Sequence, residues 1–294
     1  MDRTKNYHFL IGALAFTVVL AGLLTTGCKK GPSIVVGSKN FSEQLILGEI
    51  IAQHLEKTMH ATVIRKLDLG GTLLAHQAIV KGEIDVYPEY TGTALTAILK
   101  DPPDSDPAKV LSTVREGYKQ WGLQWLPPLG FNNTFAMVIR KEDAVQRSVK
   151  SISEAAAWGQ WKLGSGYEFI KRPDGLGGLI QTYRLNCKGS VKTMDLGLLY
   201  QALEEEQVDM VAGSSTDGLL SAKPFVVLED DQHYFPPYEA AIVVRSAAIE
   251  KYPGLKESLS QLSGRIDTAK MRAMNYELDG KHRPVKEIAA EFLK

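Results

Sequence analysis

Apolar positions along this chain recur with a period that switches between two and about 3.6 residues. Ser33-Ile34-Val35-Val36-Gly37-Ser38 is an apolar run of strand length. Over 41–57, Leu47, Ile50, Ile51, His54 and Leu55 recur at helical spacing, and Asn40 or Ser42 can cap the start. A second strand is expected over 61–67. A helix follows over 72–81, closed by Gly82, and a third strand begins at 83–86. Strand, helix, strand, helix, strand predicts an α/β domain with a largely parallel sheet. Near the far end the pattern predicts helices at 246–251, 253–262, 267–278 and 285–293.

The pattern also repeats weakly. "HQAIVKGEIDVYPEYTGT" from His76 lies over "YQALEEEQVDMVAGSSTD" from Tyr200 at an offset of 124, with Gln77 on Gln201, Asp85 on Asp209 and Tyr90 on Ser214. "VVGSKNF" from 35 lies over "KLGSGYEF" from 162 at an offset of 127. Two similar offsets in the same order predict two lobes built alike, each a mixed, mostly parallel sheet flanked by helices. The chain should cross between them at 130–140 and 233–245, giving lobe I as 33–132 with 238–294 and lobe II as 133–237. Ligands of open α/β sheets sit beyond the carboxyl ends of the strands, so two facing lobes make a cleft there.

The N-terminus does not share this pattern. Arg3 and Lys5 precede an apolar run over 9–24, and Thr25-Thr26-Gly27-Cys28 follows. A basic start, an apolar stretch and small residues predict an export signal over 1–27. Cys28 directly after Gly resembles a bacterial lipobox, which would make Cys28 the lipidated first residue and 28–32 a tether. Thr25 departs from the usual leucine of that motif. The alternative is an uncleaved membrane anchor, for which the run is slightly short. Removing 1–27 leaves 267 residues, 32 basic and 33 acidic, and so no electrostatic case for nucleic acid. Cys28 and Cys187 are the two cysteines. With Cys28 lipidated there is no disulfide framework and no cysteine metal cluster; neither metal nor cofactor is expected. The six histidines form no H-E-x-x-H, "GSSTDG" is not G-x-S-x-G, and no phosphate loop is present, so the sequence gives no sign of an enzyme.

One stretch calls for a ligand. "DVYPEYTGTAL" over 85–95 holds two tyrosines and two threonines on a tight turn. Together with "GSKNFSEQ", "GFNNTFAM", "EFIKRPDGLGGL", "STDG" and "YFPPYEAA", it resembles the osmoprotectant-binding proteins of bacterial ABC importers, the glycine betaine/carnitine/choline type, from about residue 33 to the end. The resemblance implies a two-lobe Venus-flytrap fold, no catalysis, a monomer, and delivery of a quaternary amine or betaine to a membrane permease with its ATPase. It also implies an extracytoplasmic, membrane-anchored lipoprotein.

A methylated ammonium has no N–H to donate, so aromatic faces suit it, at roughly 0.5–2 kcal/mol per contact. The family pattern puts Tyr90, Phe135 and Tyr238 on a cage for this group, with Asn133 lending a carbonyl or side chain. For a carboxylate it implies Lys39, which lies just before a helix start, the fork of Arg172, the Thr93 hydroxyl and Gln44. Tyr87 is expected to pack within its own lobe, and Arg172 could instead pair with Asp174. Two positions depart from the pattern. Phe135 stands where many relatives have Tyr, and Ser214, or nearby Gly213, stands where several place another cage tyrosine. Loss of one wall should weaken binding, widen the pocket or fit a different ligand, so ergothioneine, choline and carnitine join glycine betaine as candidates. A ligand-sensing receptor module is the alternative to an importer subunit.

Overall fold

In the computed structural model, which describes residues 33–294, the alternating pattern resolves into two five-stranded sheets and a two-stranded ribbon. The expected signal, tether and Cys28 lie outside the described residues. In chain order the strands are β1 (Ser33–Gly37), β2 (Thr62–Lys66), β3 (Val86–Tyr90), β4 (Leu123–Trp125), β5 (Phe135–Arg140), β6 (Gln160–Trp161), β7 (Leu163–Ser165), β8 (Asn186–Cys187), β9 (Lys192–Thr193), β10 (Met210–Ser214), β11 (Phe225–Val227) and β12 (Ala240–Arg245). The first sheet is ordered β2-β1-β3-β12-β4 and the second β9-β7-β10-β5-β11, while β6 pairs with β8.

The two orders match strand for strand. The 124-residue offset carries β3 onto β10 over its whole length, Val86–Tyr90 onto Met210–Ser214. Each sheet is mixed and mostly parallel, as expected, with one strand of the five running against the other four. β12 runs antiparallel to both β3 and β4, and β5 antiparallel to both β10 and β11. The reason is the crossing. A strand entering from the other lobe starts at the cleft edge and must run away from it, against strands that end there.

Both faces of each sheet are covered. Along β12, Ala240, Ile242 and Val244 join one apolar cluster while Ala241 and Val243 join another. Along β5, Met137 and Ile139 face one way and Ala136 and Val138 the other. This two-residue alternation with both faces buried is why these strands read as unbroken apolar runs. It also separates the two tyrosines of β3. Tyr87 is fully buried beside Val110, Val114 and Tyr118, and Tyr90 belongs to the opposite face. Pro88 is tolerated because β1 pairs with β3 at Val36–Val86, at the start of the strand. Thr91 N–H bonds Glu239 O, which puts the missing N–H of Pro88 on the side away from β12.

The first helix spans Ser42–Met59, and neither expected cap closes it. Phe41 is the N-cap residue without a side-chain bond, and Ser42 Oγ donates instead to Asp279 Oδ1 at 2.5 Å. The next helix, Thr72–Val80, starts after Gly70-Gly71. The terminal helices are Ser246–Lys251, Leu255–Ser260, Thr268–Asp279 and Val285–Phe292. No helix among the described residues is long and apolar enough to cross a membrane.

Candidate functional site

Every candidate residue within the described part lies at or near one edge of the two sheets. Lys39 follows β1, Tyr90 ends β3 and Ser214 ends β10, all at carboxyl ends. Phe135 begins β5 and Tyr238 precedes β12; both strands run the other way, so their amino ends share the same edge. The Thr91–Thr93 turn is stitched to the second crossing. Thr91 N–H donates to Glu239 O at 3.1 Å, and its hydroxyl donates to Pro237 O at 3.1 Å. Gly92 is required there because a Cβ would stand 2.7 Å from both Pro237 O and the Tyr238 ring. Asn132 and Asn133 hold the same segment from the other crossing: Asn132 Oδ1 accepts Tyr238 N–H at 2.6 Å, and Asn133 N–H donates to Tyr238 O at 3.0 Å.

The aromatic residues form two groups. Phe135 lies 5.5 Å from Tyr238, 4.9 Å from Phe169 and 5.7 Å from Phe235, centroid to centroid. Phe169 and Phe235 were not singled out from sequence. Phe235 is held by Asp230, whose carboxylate accepts the N–H groups of Tyr234 and Phe235, each at 3.0 Å. The guanidinium of Arg172 stands 5.2 Å from the Phe135 centroid and 5.8 Å from that of Tyr238. In the second group, Tyr90 stacks on Phe41 at 6.3 Å with an interplanar angle of 21°, and Lys39 Nζ lies 5.2 Å from its centroid. Both groups therefore present rings at cation–π distance from a basic group.

The two basic residues already have carboxylate partners. Lys39 Nζ contacts Glu89 Oε1 at 2.5 Å, in a pair only 3% and 0% exposed, and donates to Thr72 Oγ1 at 3.2 Å. Arg172 grips Asp174 through Nε at 2.9 Å and Nη2 at 2.5 Å. Its Nη1 donates to Thr93 Oγ1 at 3.2 Å. Burial works against the Arg172 charge, but the bond and charge of Asp174 outweigh it and hold the pKa above its ordinary value. Asp174 also accepts the Tyr238 hydroxyl at 2.5 Å. The Asp174 pairing, one of two readings open from sequence, is the one formed.

Gln44 Oε1 accepts the Lys39 N–H at 3.2 Å, while Gln44 Nε2 and Asn133 Oδ1 are buried with no partner. Such an atom costs about 1–3 kcal/mol if left unpaired.

At Gly213, next to Ser214, there is no room for a side chain. A Cβ on Gly213 would meet Tyr200 Oη at 2.5 Å and Asp217 Oδ2 at 2.8 Å. Asp217 accepts both the Tyr200 hydroxyl and Ser214 N–H. The lobes also touch through Glu168, whose carboxylate accepts Thr72 N–H at 2.7 Å and the Thr72 hydroxyl at 3.0 Å. Gly71 makes that approach possible, since a Cβ there would lie 2.1 Å from Glu168 Oε1.

Glu43 was also missed. It sits in the first turn of the Ser42–Met59 helix, 3% exposed, and looks in sequence like an ordinary helix-start acid. Four segments converge on it. Tyr90 Oη is at 2.6 Å, Asn133 Nδ2 at 2.8 Å, Thr216 Oγ1 at 2.5 Å and Asn275 Nδ2 at 3.0 Å. Burial raises its pKa above the ordinary carboxylate value, and these bonds pull it back. The Thr216 hydroxyl is spent on this carboxylate.

A family model described as the substrate binding domain of ABC-type glycine betaine transport systems matches residues 32–294. A curated relative, the ergothioneine transport permease/ergothioneine binding protein of Helicobacter pylori (strain G27), is 36% identical over 265 residues. That match covers 89% of this chain but 47% of the relative, so the chain spans about half of that protein's length. A glycine-betaine-binding protein of Pseudomonas aeruginosa is 34% identical over 285 residues, 93% of this chain and 91% of the relative. Among solved structures, a glycine betaine/carnitine/choline ABC transporter is 32% identical with a TM-score of 0.73, covering 88% of this chain and 97% of that one.

Proposed function

The chain belongs to the substrate-binding family of ABC-type glycine betaine transport systems and has its two-lobe fold; on that premise we propose that it captures a quaternary-ammonium compound between the lobes. The observation that carries this reading is the pair of ring groups at the shared sheet edge, each lying at cation–π distance from a basic side chain. Faces that accommodate a guanidinium or an ammonium also suit a trimethylammonium, which needs no hydrogen-bond acceptor. Tyr90, Phe135 and Tyr238 form the cage, with Phe169 and Phe235 behind Phe135 and Asn133 near Tyr90, since the Asn133 amide and the Tyr90 hydroxyl share Glu43 Oε1. Thr93 Oγ1 and Arg172 Nη1, 3.2 Å apart, mark the carboxylate end. Gln44 Nε2, buried without a partner, is a further donor, while Lys39 is committed to Glu89.

Closure places the groups of both lobes around one ligand, which is how binding selects the closed form. Delivery to a membrane permease with its ATPase, anchoring through Cys28 and an extracytoplasmic monomer belong to the same proposal, as do the lobe limits given above. Similarity to the ergothioneine-binding relative favours a bulkier trimethylated betaine over glycine betaine itself.

A thermal-shift screen over ergothioneine, glycine betaine, carnitine and choline tests this, with calorimetry on the hits. A ligand at a hundredfold excess over its Kd stabilises by about 2.7 kcal/mol. At about 2–4 °C per kcal/mol the melting temperature should rise by roughly 5–10 °C. A protein that responds to none of these compounds overturns the proposal.

A further inference from the structure

The environment of Glu43 goes beyond what the cage requires. Its two oxygens accept four hydrogen bonds, and all four donors are neutral: a phenol, a threonine hydroxyl and two amides. The nearby cations are spoken for, Lys39 by Glu89 and Arg172 by Asp174. Burial raises the Glu43 pKa, while four converging donors and a place in the first turn of an 18-residue helix work toward the ionised carboxylate. The helix end and the neutral donors solvate that charge without cancelling it. One of those donors is the hydroxyl of Tyr90, the ring assigned to the ligand's onium group. Hydrogen bonds polarise their donors, so a phenol that donates to a carboxylate carries more electron density in its ring. The second oxygen is held by Thr216, which follows β10 in the other sheet, and by Asn275 from the Thr268–Asp279 helix. The anion is therefore best ordered when both lobes are in contact.

Resting on the quaternary-ammonium reading above, we infer that Glu43 is the specificity-determining residue for charge. It holds a buried, uncompensated anion against Tyr90, so that the site prefers an onium ligand to an uncharged group of the same shape. Shape alone cannot make this distinction, because a tert-butyl group and a trimethylammonium fill the same cage. Glu43 reaches the ligand through Tyr90 and is a positioning and charge-setting group rather than a cage wall.

The test compares each onium with its carbon isostere: choline with tert-butylethanol, and glycine betaine with tert-butylacetate. Calorimetric affinities are measured for the wild type, Glu43→Gln and Tyr90→Phe. The glutamine fills the same volume, and Asn133 and Asn275 can turn their free Oδ1 atoms toward its amide, so folding should survive. The wild type should prefer the onium by about tenfold or more, the scale of a desolvated cation–π contact. Glu43→Gln should reduce that preference to about threefold or less, with isostere affinity unchanged. Tyr90→Phe keeps the ring, breaks the link and should lose part of the preference; it carries the test alone if the glutamine variant does not fold. Equal weakening of both ligand types, or a preference that survives in both variants, overturns the inference. A wild type with no preference for an onium refutes the quaternary-ammonium reading itself, and the inference falls with it.

Discussion

Replacing Arg172 with alanine is the direct test of an anion-binding role, and the geometry of the site shows that the single substitution measures something else. Arg172 and Asp174 have side chains only 7% and 0% exposed. Deleting the guanidinium strands a carboxylate whose one remaining side-chain donor is the Tyr238 hydroxyl at 2.5 Å. Breaking a buried pair from one side costs about 3–5 kcal/mol, and with the tyrosine bond retained the lower figure, about 3 kcal/mol, applies. Asp174→Ala strands the guanidinium instead. That group keeps Thr93, Thr96 and the faces of Phe135 and Tyr238, so a loss of about 2–3 kcal/mol is expected. The double variant leaves no unpaired charge. A buried pair adds little net stability, because desolvation offsets most of its attraction, so the double variant should lose only about 2–3 kcal/mol, largely in packing.

The cycle therefore predicts a coupling of about 2–4 kcal/mol between the two residues. Urea unfolding of the four proteins at 25 °C without ligand measures it. Losses that add to within about 0.5 kcal/mol would refute the buried pair. Binding data then follow in order. In Arg172→Ala the freed Asp174 charge lies beside the Tyr238 ring, so it should repel a carboxylate and favour an onium. The ratio of choline to glycine betaine affinity should rise sharply. In the double variant that repulsion is gone, and the residual change in the ratio reports the direct contact of Arg172 with the ligand.

Gly92→Ala should displace the Tyr238 ring or the Pro237 carbonyl, both 2.7 Å from the added carbon, at a cost of about 1–3 kcal/mol; calorimetry should show weakened ligand binding, and unchanged affinity would show that this ring is not a wall of the site. Asp217 has a pKa pushed from 3.8 up to about 6, mainly by burial, with the Tyr200 and Ser214 bonds pulling down and the Glu43 charge pushing up. A carboxyl whose folded value is raised adds stability below its unfolded pKa and loses it as pH rises through the folded one. The stability difference between the wild type and Asp217→Asn should therefore fall from about pH 4 to about pH 6 in urea titrations, and a flat difference would contradict the assigned burial.

Much of the fold was legible because it is local. Apolar spacing located both helices and all three strands of the first β-α-β-α-β run to within a few residues, and the 124-residue offset matched β3 to β10 without error. What escaped was non-local. Ser42 looked like a cap, but its hydroxyl is claimed by Asp279, 237 positions away. The site divides in the same way. Its rings and cations were read from motifs, whereas their partners Glu89, Glu43 and Thr216 were not, because an acid or a hydroxyl in sequence carries no mark of burial. Asp174 was in reach only because it lies two places from Arg172.

Ser214 looks like a lost wall from sequence, and the strand register explains why it is small. Residues directly opposite on antiparallel strands share a face with Cβ atoms about 4.5–5.5 Å apart, so a small residue on one strand leaves space for the ring of its partner to turn over it. In the first sheet Tyr90 pairs with Ala240, and in the second Ser214 pairs with Phe135. Each lobe thus sets one aromatic residue against one small residue at the cleft edge, but on opposite strands. The first lobe keeps its ring on the parallel strand, and the second carries it on the crossing strand. Ser214 is the space that lets Phe135 pack with Phe169, Phe235 and Tyr238. Restoring a tyrosine at 214 should therefore crowd Phe135 rather than complete the cage.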